Sequence, residues 1–326
     1  MPAPPRVFVT CRTCGQTLLD ALSRLGTVVP SPFRSSRILS EDELLAHIPG
    51  ASVVVAGTDP FTRRVVEAGA RSGLKLIARY GIGLDNIDLK AATKNSVLVT
   101  YAPKASSVSV AEFTIALTLS LLRRIPEADS SVRAAKWPQG SMRGSEVAGK
   151  TVGIVGLGTI GRRVAEVFEA MGAKVIAYDP FVKGDPRLRD LDAILREADI
   201  ISIHSALNAG SQNLIGAAEL SRVKPSAVLV NTARGAVVNQ KALYSALIER
   251  RLGGVALDVF EVEPPQLSDT LAKLPNVILT PHIAGNTTEA SERTDRVILE
   301  DVERFLRGLA PVYPANPEVV TSLGLR

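Results

Sequence analysis

Short runs of Val, Ile, Leu and Ala, each nearly unbroken and each followed by a turn and a segment of helical period, recur along the whole chain. No other feature limits the fold as strongly. A strand with one wet face would alternate apolar and polar residues, whereas these runs are apolar throughout, as parallel strands are when helices cover both faces of their sheet. The first set comprises Arg6–Thr10, Ser52–Gly57, Lys75–Arg79 and Val97–Tyr101, with a weaker strand near Val28. The second comprises Thr151–Gly156, Lys174–Asp179, Ile200–His204, Ala227–Thr232, Gly254–Val259 and Val277–Thr280. Strand alternates with helix in both, which predicts an α/β protein with two doubly wound parallel sheets.

Composition agrees with two packed domains. The chain has 326 residues, 46% hydrophobic and 22% charged, too long for one small core and too apolar for disorder, collagen or coiled coil. Lys plus Arg number 38 against 33 for Asp plus Glu, a surplus of +5 that suits an anionic small molecule and is too weak for a nucleic-acid footprint. Two cysteines, Cys11 and Cys14, exclude a disulfide framework, and only His47, His204 and His282 can supply histidine chemistry.

The opening MPAPPRVFVT lacks a secretory signal, so a cytoplasmic location is the expectation. The longest apolar stretch, Val108–Leu122, contains Glu112 and several Ser and Thr and falls short of the roughly 18 residues a membrane span needs, so it reads as a buried helix. Helices are expected over 105–125 and 127–136, between the two strand sets, with a loop before Thr151. A last helix, Thr287–Leu306, ends at Gly308 before Pro311, Pro314 and Pro317. Coming after the second sheet is complete, that segment is free to return to the first domain.

The strand TVGIVG runs into GLGTIG, residues 156–161, and then into a helix. Gly156 permits a tight turn, Gly158 lets a pyrophosphate approach the backbone, and Gly161 lets the helix pack on the strand, with Thr159 and Ile160 at the helix N-terminus. The next strand, KVIAYD, ends in Asp179, placed to bond both ribose hydroxyls of NAD and to repel a 2′-phosphate. NAD is favoured over NADP. Arg162 and Arg163 lie just after the loop, where they either touch the pyrophosphate or form a solvated helix face.

Ligands of an open parallel sheet sit beyond the carboxyl ends of its strands. There the chain places His204, the TARG sequence with Thr232, Ala233 and Arg234, then Asp258, Glu263 and His282. An enzyme acting on a 2-hydroxy acid needs a cation for the carboxylate, a base for the hydroxyl proton and a group that tunes the base. Arg234, His282 and Glu263 would supply them; a helix-capping arginine, a surface acid and a satisfied loop histidine are the alternatives. His204 is read as lining the cofactor cleft, and His47 has no functional case. The Cys11/Cys14 spacing matches a redox motif without its usual context, and no ligand pair accompanies it to bind zinc, so no metal is expected.

The motifs RYGIGLDNID at 79–88, SVAEFTIAL at 109–117, GKTVGIVGLGTIG at 149–161, NTARGAVV at 231–238, GVALDVFEVEPP at 254–265 and TPHIAG at 280–285 together resemble the D-isomer-specific 2-hydroxyacid dehydrogenases. Within that family the phosphoglycerate dehydrogenase and hydroxypyruvate or glyoxylate reductase members are the most similar. The resemblance implies a flavodoxin-like substrate domain made of both chain ends, 1–102 and 287–326, around a Rossmann NAD domain over 103–286. It implies that Arg234 binds substrate, His282 is the acid/base beside the cofactor, Glu263 is its partner, and Asp258 holds the nicotinamide carboxamide. Tyr80, Gly81, Ile82 and Gly83 would offer backbone N–H groups to the substrate carboxylate, and the helix from Ser109 would make a homodimer.

The chain departs from the family pattern at two places. Lys104, within Pro103–Ser106, puts a cation where the family has glycine, and Ser205–Asn208 replaces the usual residues after His204. With Arg12, Arg34 and Arg37, Lys104 would select a second anionic group if these are not simply solvated. The chain ends soon after its substrate domain, so a C-terminal regulatory domain is not expected. The alternative function is an NAD(H)-sensing binding protein resembling the C-terminal binding protein corepressors, whose long disordered tail the chain lacks.

Overall fold

The unbroken apolar runs form two all-parallel sheets, as a computed structural model describing residues 4–32, 37–266 and 273–326 shows. The chain divides into two compact units, Met1–Ser106 with Asn286–Arg326, and Ser107–Gly285.

The first unit contains β1 (Arg6–Val9), β2 (Thr27–Pro30), β3 (Val53–Ala56), β4 (Leu76–Arg79) and β5 (Leu98–Tyr101) in the order β2-β1-β3-β4-β5. This is the flavodoxin-like order. Successive residues of one strand serve opposite cores: Phe8, Val54, Ile77 and Val99 pack on one face, and Val7, Val9, Val53, Val55, Leu76 and Leu98 on the other. That division is why these strands show no polar alternation. The late helix, Thr288–Leu306, contributes Ile298 and Val302 to the second of these cores. The residues after it protect the β5 edge: Asn316 accepts from Val99 N–H at 2.8 Å and donates to Val97 O at 3.0 Å.

The second unit contains β6 (Thr151–Val155), β7 (Lys174–Tyr178), β8 (Ile200–Ile203), β9 (Val228–Asn231), β10 (Gly254–Leu257) and β11 (Val277–Leu279), ordered β11-β10-β9-β8-β6-β7. The outer position beside β7, where a dinucleotide-binding sheet has a further strand, is held by a single parallel bridge, Ala177 to Leu188. Ala177 N–H donates to Arg187 O at 2.9 Å and Arg189 N–H to Ala177 O at 2.8 Å. The charged sequence DPRLRD conceals this vestigial strand from hydrophobic patterning.

The helix expected over 105–125 spans Ser107–Leu122, and the following one spans Ile125–Arg133. The first buries Ala111, Leu117 and Leu121 in the core it shares with β9, β10 and the helix Thr159–Ala170, while Glu112 is exposed. The units divide after Ser106 and after Gly285, where the expectation was after 102 and after 286. Arg293 Nε donates to Ala105 O at 2.7 Å, tying the turn after β5 to the first unit.

Candidate active site

The glycine loop has the shape of a dinucleotide cradle. Gly156 takes a φ of +98°, and a Cβ there would lie 2.7 Å from the His204 carbonyl carbon. A Cβ on Gly161 would fall 2.0 Å from Gly156 O, so only glycine lets the helix Thr159–Ala170 begin so close to the turn. Gly158 faces open space, and as the helix N-cap it provides no side-chain acceptor, which leaves the first helical N–H groups open to an anion. These features fit a pyrophosphate.

Asp179 is held above this loop. Its Oδ2 accepts from Leu157 N–H and its Oδ1 from Phe181 N–H, both at 2.9 Å, which fixes the carboxylate while lone pairs remain for ribose hydroxyls. Arg162 leans away to Asp185 at 3.0 Å. The Arg187 guanidinium holds the Asp185 carboxyl well below the usual range, so this acid is a stable partner for both arginines. Arg163 is exposed. His204 turns back on its own strand, with Nε2 2.8 Å from Ser202 Oγ, and burial pushes its imidazole down to about 3. It is therefore neutral near physiological pH and unsuited to proton exchange there.

Arg234 is presented by a turn built on Asn231 at the end of β9. The Asn231 amide donates to Arg234 O at 2.9 Å and accepts from Ala233 N–H at 3.0 Å. Thr232 shares a 2.8 Å hydrogen bond with Thr114. A Cβ on Gly235 would overlap the Phe260 carbonyl carbon at 1.9 Å, so this glycine lets the Arg234 turn pack against the segment leading to Glu263.

His282 Nδ1 lies 2.7 Å from Glu263 Oε2, and Glu263 Oε1 accepts from Phe260 N–H at 3.1 Å. Burial opposes the charge on Glu263, but His282, the Phe260 N–H and Arg234 outweigh it and keep the carboxyl below its ordinary value. A carboxylate here accepts the Nδ1 proton, leaving Nε2 as the exchanging atom on the far side of the ring. With 38% of its side chain exposed, His282 is within reach of a ligand.

His282 also has a left-handed backbone, φ +55°, that sequence reasoning missed. The buried Asp258 stabilises it: Oδ1 accepts from Thr280 Oγ1 at 2.6 Å and Ile283 N–H at 2.9 Å, and Oδ2 from Ala284 N–H at 2.8 Å. Most of the Asp258 acceptor capacity thus shapes the turn that carries His282. Among the described residues no group of three or more His, Cys, Asp or Glu is arranged to hold a metal.

In the first unit, Tyr80–Gly83 follows β4. Tyr80 donates to Asp295 Oδ1 at 2.7 Å, and burial followed by that bond pushes the phenol well above its ordinary value. Lys104 is exposed and holds φ +67°. Arg12 is exposed, Arg37 pairs with Glu43, and Arg34 lies outside the described residues. Cys11 and Cys14 are buried free thiols, and burial pushes Cys11 well up, which disfavours the thiolate that redox exchange needs.

The two parallel sheets, the glycine cradle and its acid define a two-domain α/β protein built on a dinucleotide-binding fold. Residues 115–284, more than half the chain, match the D-isomer specific 2-hydroxyacid dehydrogenase, NAD binding domain, and the chain belongs to that family. It is 40% identical over 279 residues to D-3-phosphoglycerate dehydrogenase of Methanocaldococcus jannaschii, covering 83% of this chain and 52% of the relative. Hydroxypyruvate reductase of Thermotoga maritima is 40% identical over 282 residues, covering 84% of this chain and 90% of the relative. The crystal structure of a glyoxylate reductase from Paecilomyes thermophila aligns with a TM-score of 0.85 at 29% identity, over 97% of this chain and 99% of that one. The chain spans about half the length of the phosphoglycerate dehydrogenases it matches.

Proposed function

We propose that the protein is an NAD-dependent oxidoreductase that moves a hydride between nicotinamide and the carbinol carbon of a D-2-hydroxy acid, with the 2-keto acid as the other substrate. The 2.7 Å pair between His282 Nδ1 and Glu263 carries this reading, because it joins a proton-exchanging ring to the acid that orients it.

When bound, the cofactor supplies the two-electron exchange; Gly156, Gly158, Thr159, Ile160 and Gly161 would hold its pyrophosphate and Asp179 its ribose. His204, Thr232, Ala233 and Asp258 would line the nicotinamide end, beside His282. Arg234 binds the substrate carboxylate and carbonyl through its guanidinium fork. In reduction, His282 Nε2 gives a proton to the forming alkoxide; in oxidation it takes the hydroxyl proton. Glu263 keeps the proton on Nδ1 and stabilises the imidazolium. Ile82 and Gly83 bind the substrate carboxylate through backbone N–H groups; the N–H groups of Tyr80 and Gly81, expected to share this role, instead donate to Ala56 O and Arg79 O, both at 2.9 Å.

Lys104 belongs to the substrate side of this reading. It is exposed, has no hydrogen-bond or ion-pair partner among the described residues, and keeps a backbone conformation that favours glycine. Those features support selection of a substrate with a second anionic group. The reading includes a homodimer through the helix Ser107–Leu122 and its neighbour, supported by the exposed Ile125, Val132 and Trp137. It also includes a cytoplasmic location; among the described residues, no helix is long and apolar enough to cross a membrane.

An NADH oxidation screen over glyoxylate, hydroxypyruvate, phosphohydroxypyruvate and pyruvate tests this reading. Turnover of at least one supports it, and a preference for the phosphorylated member supports the role of Lys104. Tight NADH binding without any turnover would instead indicate a binding protein of the same fold.

A further inference from the structure

Arg79, the last residue of β4, is only 6% exposed although its charge is permanent. A buried guanidinium is costly unless its donors are matched, and this one is spent on the loop that follows it. Its Nε donates to Gly83 O at 2.9 Å and its Nη1 to Tyr80 O. Gly81, at φ +138°, completes the fit, since a Cβ there would lie 2.9 Å from Arg79 Nη1. Ala102 N–H donates to Gly81 O at 3.0 Å from the opposite side.

In a trans peptide the C=O of one residue and the N–H of the next point in opposite directions. Turning the Gly83 carbonyl toward Arg79 and the Gly81 carbonyl toward Ala102 therefore turns the Leu84 and Ile82 N–H groups away from them. Among the described residues, the N–H groups of Ile82, Gly83 and Leu84 have no hydrogen-bond partner, and all three residues are partly exposed. Successive unpaired amides of this kind form an anion-binding concavity, here with a fixed positive charge behind it.

We infer that Arg79 is the positioning residue of the carboxylate-binding loop: by holding the Tyr80 and Gly83 carbonyls it turns the Leu84 amide outward beside those of Ile82 and Gly83 and adds a permanent charge behind them, so that it sets substrate affinity without touching the substrate. This rests on the proposed reading of the loop as the carboxylate site.

The test compares Arg79→Met, which removes fork and charge, with Arg79→Lys, which keeps the charge. Both are measured in the full chain at saturating NADH. The expected result is a KM for the best 2-keto acid raised about tenfold or more in Arg79→Met, the scale of losing charge-assisted hydrogen bonds. The Lys variant recovers part of that loss, while kcat and the NADH Kd stay within about threefold, a split that general unfolding would not produce. A KM within twofold of the parent in both variants overturns the inference, as does a parallel loss of NADH affinity in both. If the parent protein turns over no 2-keto acid, the reading of the loop itself fails, and the two failures are told apart by the parent control.

Discussion

The backbone N–H of His282 donates to the carbonyl of Asp258 at 2.9 Å, and the Asp258 carboxylate takes up the two amides that follow His282. The imidazole is thus aimed from the adjacent strand end as well as by Glu263. Asp258→Asn replaces one acceptor by a donor facing an N–H, and leaving a buried amide unmatched costs about 1–3 kcal/mol. Thermal unfolding should show Tm lowered by several degrees, together with reduced turnover; an unchanged Tm would separate Asp258 from the turn.

Gly158 distinguishes a structural glycine from one reserved for a ligand. Because a Cβ meets nothing within 4 Å, Gly158→Ala should fold normally, with Tm equal to or slightly above the parent. Its NADH Kd, followed by fluorescence titration, should rise at least about tenfold as the methyl obstructs the pyrophosphate. Retained affinity would show that the cradle binds elsewhere.

Asp179 is positioned by Leu157 and Phe181 whether or not a ribose is present. Asp179→Ala should weaken NAD more than NADP, because it removes hydroxyl acceptors and the repulsion of a 2′-phosphate together. Paired Kd measurements for the two cofactors check this, and an unaltered ratio would contradict the ribose assignment.

His204 should appear in the pH dependence of stability. Burial lowers its folded value to about 3 from an ordinary 6.5, so below 6.5 the unfolded chain takes up a proton that the folded chain refuses. The stability due to neutral His204 is complete above that ordinary value and is lost as pH falls toward the folded one. Urea unfolding of His204→Gln should have a flatter acid limb between pH 6.5 and about 4; an equally steep limb would rule His204 out as its source.

Much of this architecture was legible in the residues. Val53–Ala56 and Val228–Asn231 are buried at every position, and such strands announce themselves as apolar runs. The Gly156–Gly161 spacing and the acid ending β7 were equally readable. Leu188 was not: its bridge to Ala177 rests on backbone bonds inside a charged stretch. The left-handed φ of His282 was also hidden, since it arises from Asp258 meeting the turn across adjacent strand ends, and so was the guanidinium of Arg79, which turns back onto carbonyls of the loop after its own strand. Arg162 illustrates the same limit, because its partner Asp185 comes from a segment without a hydrophobic period.

The most direct measurement is kcat/KM for His282→Asn on the best 2-keto acid, beside the NADH Kd of the same variant. Asparagine tolerates the left-handed backbone that His282 occupies, so the turn is kept while the exchangeable proton is lost. The account predicts a fall of about 100-fold or more, the scale of a lost general acid, with NADH affinity nearly unchanged. A variant whose kcat/KM stays within about threefold of the parent would contradict it.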